Sequence, residues 1–169
     1  MDRKQAMVNL LRSSSAEYEC FLASLPEACA AERLNPEGWS VLQVAEHIVL
    51  AERAMLWMYR AGQAGAKADD VNREEQFAGI LANREGRAKT PARVAPTGQI
   101  QTLTQALAEF SQAREATLED VERDSRELAT MACSHPMFGV VNGYEMLAIM
   151  AGHGSRHLAQ IREIVGEKR

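Results

Sequence analysis

The sequence predicts an all-α protein, a four-helix bundle with up-down-down-up topology. Four long segments carry apolar residues at three- and four-residue spacings, and the connection between the second and third segments is unusually long. The 169 residues are 46% hydrophobic and 25% charged, which is ordinary globular usage. Since a core usually needs about 100 to 200 residues, we expect one domain over residues 1–169.

The first two helices have clear boundaries. Apolar residues that share one face of the first helix are Met7, Leu10, Leu11, Tyr18, Phe21, Leu22 and Leu25. This helix should end before Pro26 or soon after it. Ser40 and Gln43 have the spacing of a capping box, which predicts that the second helix starts near Ser40 and runs to about Gly62.

The last two helices follow the same logic. The third should begin after residues 95–97, carry Ile100 on its apolar face and reach about Leu128. The fourth opens at Asn142, with the acidic Glu145 three positions on, and should continue to about Gly166. No alternating pattern bounded by turns stands out, so no strand is predicted.

The long connection covers about residues 62–96. The second helix should be roughly 35 Å long, a distance that this segment can easily retrace. We infer that it crosses the whole bundle, so that the second and third helices run parallel. Phe77, Ile80 and Leu81 could form a short helix that holds the crossing to the bundle; the alternative is a mobile loop.

Composition excludes several classes of protein. The net charge of −4, from 19 basic and 23 acidic residues, offers no electrostatic footprint for nucleic acid. No window approaches the roughly 18 apolar residues of a membrane span, and no signal peptide stands out. Three scattered cysteines, Cys20, Cys29 and Cys133, do not suit a secreted disulfide framework, so a cytoplasmic protein is expected.

Two histidines on the fourth helix are candidate metal ligands. His153 and His157 are four residues apart, so their imidazoles stack on one face, which also carries the methionines and isoleucines of the core side. A metal ion would satisfy the ring nitrogens of both. The alternative is a pair of core or groove histidines bonded to carbonyls or water. Gly152 and Gly154 flank His153 and indicate close approach of either another helix or a ligand.

His47 is the candidate third ligand. It lies about two turns into the second helix, at a level that matches the pair if the two helices are antiparallel. Taken alone, it would be a boundary histidine. Three imidazoles leave a coordination position open, as in catalytic zinc sites, but nickel, copper and iron also suit nitrogen ligands. Gln160 and Glu52 could orient these histidines, or could be ordinary bundle side chains.

Several strings together resemble the DinB/YfiT-like family of metal-dependent proteins. They are Gly38-Trp39-Ser40, Glu46-His47-Ile48, His135-Pro136-Met137-Phe138-Gly139 and the stretch from His153 to Ile161. The resemblance implies an up-down-down-up four-helix bundle, often a homodimer, in which His47, His153 and His157 bind a divalent ion, commonly nickel or zinc. Some relatives are transferases or isomerases that use mycothiol or bacillithiol, and others are called metal-dependent hydrolases.

Two further residues near this motif have open roles. His135 lies in the family-like loop but outside the implied ligand set, so we interpret it as a residue that fixes the loop, with lining of the site as the alternative. Cys133 lies two residues from His135, but a loop cysteine beside a histidine is usually incidental and not a nucleophile.

Other bundle chemistries do not match the sequence. Di-iron bundles need Glu-x-x-His pairs, and no histidine here has a glutamate three residues before it. The HExxH, P-loop and Rossmann motifs are absent. We therefore expect either a metal-dependent hydrolase or thiol-dependent transferase that acts on a small molecule, or a non-catalytic, ligand-binding or structural dimer. No catalytic side chain beyond the metal ligands is assigned.

Overall fold

The structure, a computed structural model, describes residues 2–66, 73–83 and 90–166. Four long helices form the bundle, and a shorter helix and a small hairpin connect them. The helices are α1 (Arg3–Ser24), α2 (Val41–Arg60), α3 (Glu74–Ala82), α4 (Leu103–Arg123) and α5 (Gly143–Ile164). The hairpin pairs β1 (Cys133–His135) with β2 (Gly139–Val141), and 3-10 turns cover Glu27–Ala31 and Ala92–Val94.

Polar contacts show that α2 and α4 run parallel. Arg53, just past the middle of α2, pairs with Glu109 in the first third of α4 at 3.1 Å, and Arg60 pairs with Asp120 near the C-terminal ends of both helices. Residue numbers therefore rise together along the two helices. This parallel arrangement requires the chain between α2 and α4 to cross the bundle, as the length of the connection predicted.

Contacts of α1 with α4 and α5 give the directions of α1 and α5 relative to the parallel pair. Arg12 pairs with Glu122 and Glu19 accepts a hydrogen bond from Ser111, so numbers fall along α4 as they rise along α1. Arg162, near the end of α5, lies over the ring of Phe21 near the end of α1, so these two helices are parallel. The order is up, down, down, up, and the predicted four-helix bundle is confirmed.

Capping by nearby side chains accounts for the starts of α2 and α5. Ser40 accepts from the backbone N–H of Gln43, whose side chain accepts from Ser40 in return. Asn142 and Glu145 form the same reciprocal pair at 2.8 Å. Each pair satisfies two backbone donors that a helix start otherwise leaves unpaired.

The ends of α4 differ from the prediction. The helix begins at Leu103, where Thr102 accepts from the backbone N–H of Gln105, rather than directly after residues 95–97. It ends at Arg123, before Leu128. Ile100 and Leu128 are buried all the same, in non-helical segments. Apolar spacing reports which residues face the core, and these two reach the core without being helical.

The hairpin between α4 and α5 also corrects the prediction that the chain has no strand. Each strand has only three residues, too few to show an alternating pattern. Gly139 begins β2 with a φ of 70°, a left-handed conformation that favours glycine in this tight turn.

Helix α3 holds the described part of the crossing against α5. Its Phe77 and Leu81 are buried, while Ile80 is 47% exposed. A Cβ at Gly152 would lie 2.8 Å from Leu81 Cδ1, so this glycine allows α3 to approach closely. Of the two alternatives for Phe77, Ile80 and Leu81, a short helix and a mobile loop, the structure shows the helix. Residues 67–72 and 84–89 of the crossing lie outside the described residues.

Among the described residues, none of the helices combines the length and apolar character that crossing a membrane requires.

Candidate metal centre

Helices α2 and α5 bring three predicted histidines together. His47 comes from α2, and His153 and His157 lie one turn apart on α5. One ring nitrogen from each residue lies within 4.8 Å of the others. The His47 and His153 Nε2 atoms are 3.2 Å apart. The antiparallel course of the two helices puts residues more than 100 positions apart at the same level.

The His47 ring is held by the backbone. Its Nδ1–H donates to the carbonyl oxygen of Val94 at 2.7 Å, and its ring centroid is 5.0 Å from that of Trp39. Since a carbonyl can only accept, Nδ1 carries the proton and Nε2 of the neutral ring keeps its lone pair. His47 is only 4% exposed, and Nε2 is directed at His153.

His157 is oriented by Gln160, one of the two candidates for this role. Nδ1 of His157 donates to Oε1 of Gln160 at 2.8 Å, and the His157 ring centroid lies 4.7 Å from that of His47. The other candidate, Glu52, forms no hydrogen bond with a histidine among the described residues. It accepts from Arg114 at 2.8 and 2.9 Å inside the bundle, where both side chains are 2% exposed.

The electrostatic surroundings keep two of these rings uncharged at neutral pH. Burial lowers the pKa of His47, although the hydrogen bond to Val94 opposes the shift. Burial, and then the neighbouring His157 and His47, hold the pKa of His153 well below its ordinary value. A neutral imidazole has the lone pair that a metal ion needs.

The ligand set fits a divalent cation. Two nitrogens bound to tetrahedral zinc at 2.0–2.1 Å are about 3.3 Å from each other, and the His47 to His153 distance of 3.2 Å is close to this. A cation between the rings would replace the single hydrogen bond that the two Nε2 atoms can otherwise share. Zinc and nickel both accept such nitrogen ligands.

An open cavity of about 1340 Å³ adjoins the three histidines. Trp39, Met55 and Phe138 contribute apolar wall, and Arg93 contributes a positive charge. The cavity is also lined by exposed residues such as Leu34, which is 62% exposed, so solvent and small molecules can enter.

His135 combines the two roles considered for it. Its Nδ1 accepts from the backbone N–H of Met137 at 3.2 Å, which fixes the hairpin turn, and its ring is 4.9 Å from that of Phe138. The residue also lines the cavity. It is not one of the three clustered histidines.

Cys133, the first residue of β1, has a buried side chain and is not among the residues that line the cavity. Burial raises the pKa of its thiol to about 11, so the sulfur stays protonated at neutral pH and is a poor nucleophile. This agrees with the interpretation of Cys133 as incidental to the chemistry.

Two features of the site were not predicted from the sequence: the carbonyl group that accepts from His47, and the hydrogen bonds of the neighbouring Glu46. A backbone carbonyl such as that of Val94 leaves no signal in the sequence. Glu46 was part of a motif, but its contacts were not foreseen: its carboxylate accepts from Thr97, Gly98 and Gln99. Burial raises the pKa of Glu46, but these hydrogen bonds outweigh it and the pKa is lowered overall.

Fold and site together define a helical bundle with a three-histidine cluster that opens to a cavity. Residues 10–161 match the family model of the DinB superfamily, and the chain belongs to this superfamily.

Solved structures show the same fold. One is TT2238, described as a four-helix bundle protein, with a TM-score of 0.60 and 20% identity over 95% of this chain and 98% of that one. Another is YfiT from Bacillus subtilis, described as a probable metal-dependent hydrolase with an unusual four-helix bundle topology. Its TM-score is 0.60, with 12% identity over 98% of this chain and 89% of that one. No curated protein matches the sequence.

Proposed function

We propose that this protein is a metal-dependent enzyme that acts on a small molecule, with nickel or zinc held by His47, His153 and His157. The observation that carries the proposal is the convergence of these three side chains at the wall of an open cavity. A structural site would be closed by four protein ligands, whereas three leave a position for substrate.

Hydrolysis is the first reaction to test, since YfiT is described as a probable metal-dependent hydrolase. A divalent cation held by the three histidines would act as a Lewis acid and polarise a bound group. The apolar wall formed by Trp39, Met55 and Phe138 would hold the apolar part of a substrate and exclude water around it. Transfer to a low-molecular-weight thiol is the second reaction, supported by the resemblance to thiol-dependent members of the family.

Metal content of the purified protein tests the ligand set. We expect about one nickel or zinc ion per chain in the wild type, and loss of it in His153→Ala and His157→Ala. His135→Ala is the matched control, because this histidine lines the same cavity but is not in the cluster. Stoichiometric metal in His153→Ala, or none in wild type after reconstitution, would contradict the proposal.

Turnover then separates an enzyme from a binding protein. Ester, amide and thiol-transfer substrates are assayed with the nickel-loaded and zinc-loaded forms, beside His153→Ala. Activity that depends on metal and on His153 supports the enzyme. Full metal occupancy without turnover of any substrate would favour the non-catalytic bundle instead.

A homodimer remains our proposal for the assembly, and light scattering of the purified protein tests it.

A further inference from the structure

The carboxylate of Glu46 binds residues 97–99, a short segment between the Ala92–Val94 turn and α4. The residue is 1% exposed. Its Oε1 accepts from the backbone N–H groups of Thr97 and Gln99, both at 3.1 Å, and from the Thr97 hydroxyl at 2.8 Å. Its Oε2 accepts from the N–H of Gly98 at 3.0 Å. Four hydrogen bonds to three consecutive residues hold this segment to α2.

The same segment supplies the carbonyl that orients His47. Val94, whose oxygen accepts from His47 Nδ1–H, lies only three residues before Thr97. Pro96 stands between them and restricts the backbone that joins the two points. Glu46 and His47 are neighbours on α2, and they therefore hold two points of one segment, the first through a carboxylate and the second through an imidazole.

We propose that Glu46 is a positioning residue for the metal centre, which keeps the Val94 carbonyl in place and thereby aims His47 Nε2 at His153. The metal-binding part of this inference rests on the proposed function. Partners that orient metal-binding histidines typically change metal affinity by 10-fold to 100-fold when they are lost. Glu46 acts one step further out, through Val94, so an effect near the lower limit is expected.

Glu46→Gln tests the proposal with little change in volume. The amide keeps one oxygen for Thr97 and Gln99 but places an NH₂ group against the N–H of Gly98, so the two donors repel. Glu145→Gln is the matched control, since Glu145 is also fully buried and also accepts a backbone N–H, that of Asn142. It contacts neither residues 94–99 nor the three histidines in any hydrogen bond of the described chain.

The tautomer of His47 in metal-free protein is the first measurement, taken from imidazole ¹⁵N chemical shifts. Wild type and Glu145→Gln should hold the proton on Nδ1, whereas Glu46→Gln should populate both tautomers. A general loss of stability would not produce this difference. Thr97→Val, which removes only the 2.8 Å hydrogen bond from the Thr97 hydroxyl, should shift the tautomer populations in the same direction by a smaller amount. This variant takes the place of Glu46→Gln in the test if Glu46→Gln does not fold.

Metal affinity is the second measurement, by competition of zinc with a chromophoric chelator. Glu46→Gln should raise the dissociation constant about 10-fold, and Glu145→Gln should leave it within 2-fold of wild type. In a His47→Ala background, Glu46→Gln should have no further effect, because the ring through which it acts is absent.

The outcomes separate the two proposals. Wild-type tautomer and affinity in both Glu46→Gln and Thr97→Val would overturn the positioning role and leave the metal site intact. Absence of zinc and nickel binding in the wild type, with a changed tautomer in Glu46→Gln, would overturn the proposed function while supporting the effect of Glu46 on the ring.

Discussion

Replacement of Gln160 by leucine should weaken metal binding without unfolding the bundle. The change removes the oxygen that accepts from His157 Nδ1–H at 2.8 Å and keeps a similar side-chain volume. Gln160 is partly exposed and lies on the cavity wall, so water can reach the position and the fold should tolerate the leucine.

The size of the effect follows from this bond. A ring that binds a cation becomes a stronger donor through its other nitrogen, and a hydrogen bond to a charged group contributes about 1.5 to 3 kcal/mol. Because Gln160 is partly exposed, water will replace part of the lost bond, and we expect the metal-binding free energy to weaken by about 1.4 kcal/mol. This corresponds to a roughly 10-fold rise in the dissociation constant for zinc.

Competition with a chromophoric chelator at neutral pH measures this change. Gln160→Glu is the control, since a carboxylate keeps an acceptor for His157 and should hold the affinity within about 3-fold of wild type or improve it. Equal affinities of Gln160→Leu and wild type, in proteins of equal stability, would refute the reasoning that His157 is oriented through its Nδ1.

Three further predictions concern stability. Arg114→Met should lower the free energy of unfolding, measured by chemical denaturation, by about 3 to 5 kcal/mol, because it leaves the buried Glu52 carboxylate without its cation. Adding Glu52→Gln should recover part of that loss, and a double variant no more stable than Arg114→Met would contradict this explanation. Burial raises the pKa of Asp124, but hydrogen bonds from Arg126 bring it down to about 2 from 3.8. The ionised Asp124 thus stabilises the folded state by about 2 kcal/mol above about pH 4, and this stabilisation is lost as the pH falls towards 2. Denaturation measured across this pH range should not show the same loss in Asp124→Asn. Gly62→Ala should lower the melting temperature, since its Cβ would lie 2.7 Å from a buried sulfur atom and 3.0 Å from a backbone oxygen; an unchanged value would contradict the close packing there.

Local signals in the sequence predicted several features correctly. The caps at Ser40 and Asn142 depend on residues three positions away, so they can be identified without the fold. The spacing of His153 and His157 already places both on one face of a helix. Gln160, on the same face, was one of the candidates for orienting them, and it accepts from His157.

Predictions that needed distant contacts were less successful. For Glu52, the sequence left open a partner of the histidines or an ordinary bundle side chain. The structure shows the second, because Glu52 pairs with Arg114, which is 62 residues away on another helix. Ile100 and Leu128 continued the apolar pattern of α4 although they lie outside it. Periodicity shows which residues are buried, and it does not show whether the backbone that carries them is helical.

The chain alone therefore determined the four helices, two of their starts, the histidine pair and the family, because helical turns and caps depend on neighbours within about four residues. Only the tertiary structure decided that His47 meets His153 across 106 residues, that the Val94 carbonyl orients it, and that Glu46 holds the segment between Val94 and Gln99. These contacts depend on the relative shift and rotation of packed helices, which are set by the whole core and by the path of the crossing.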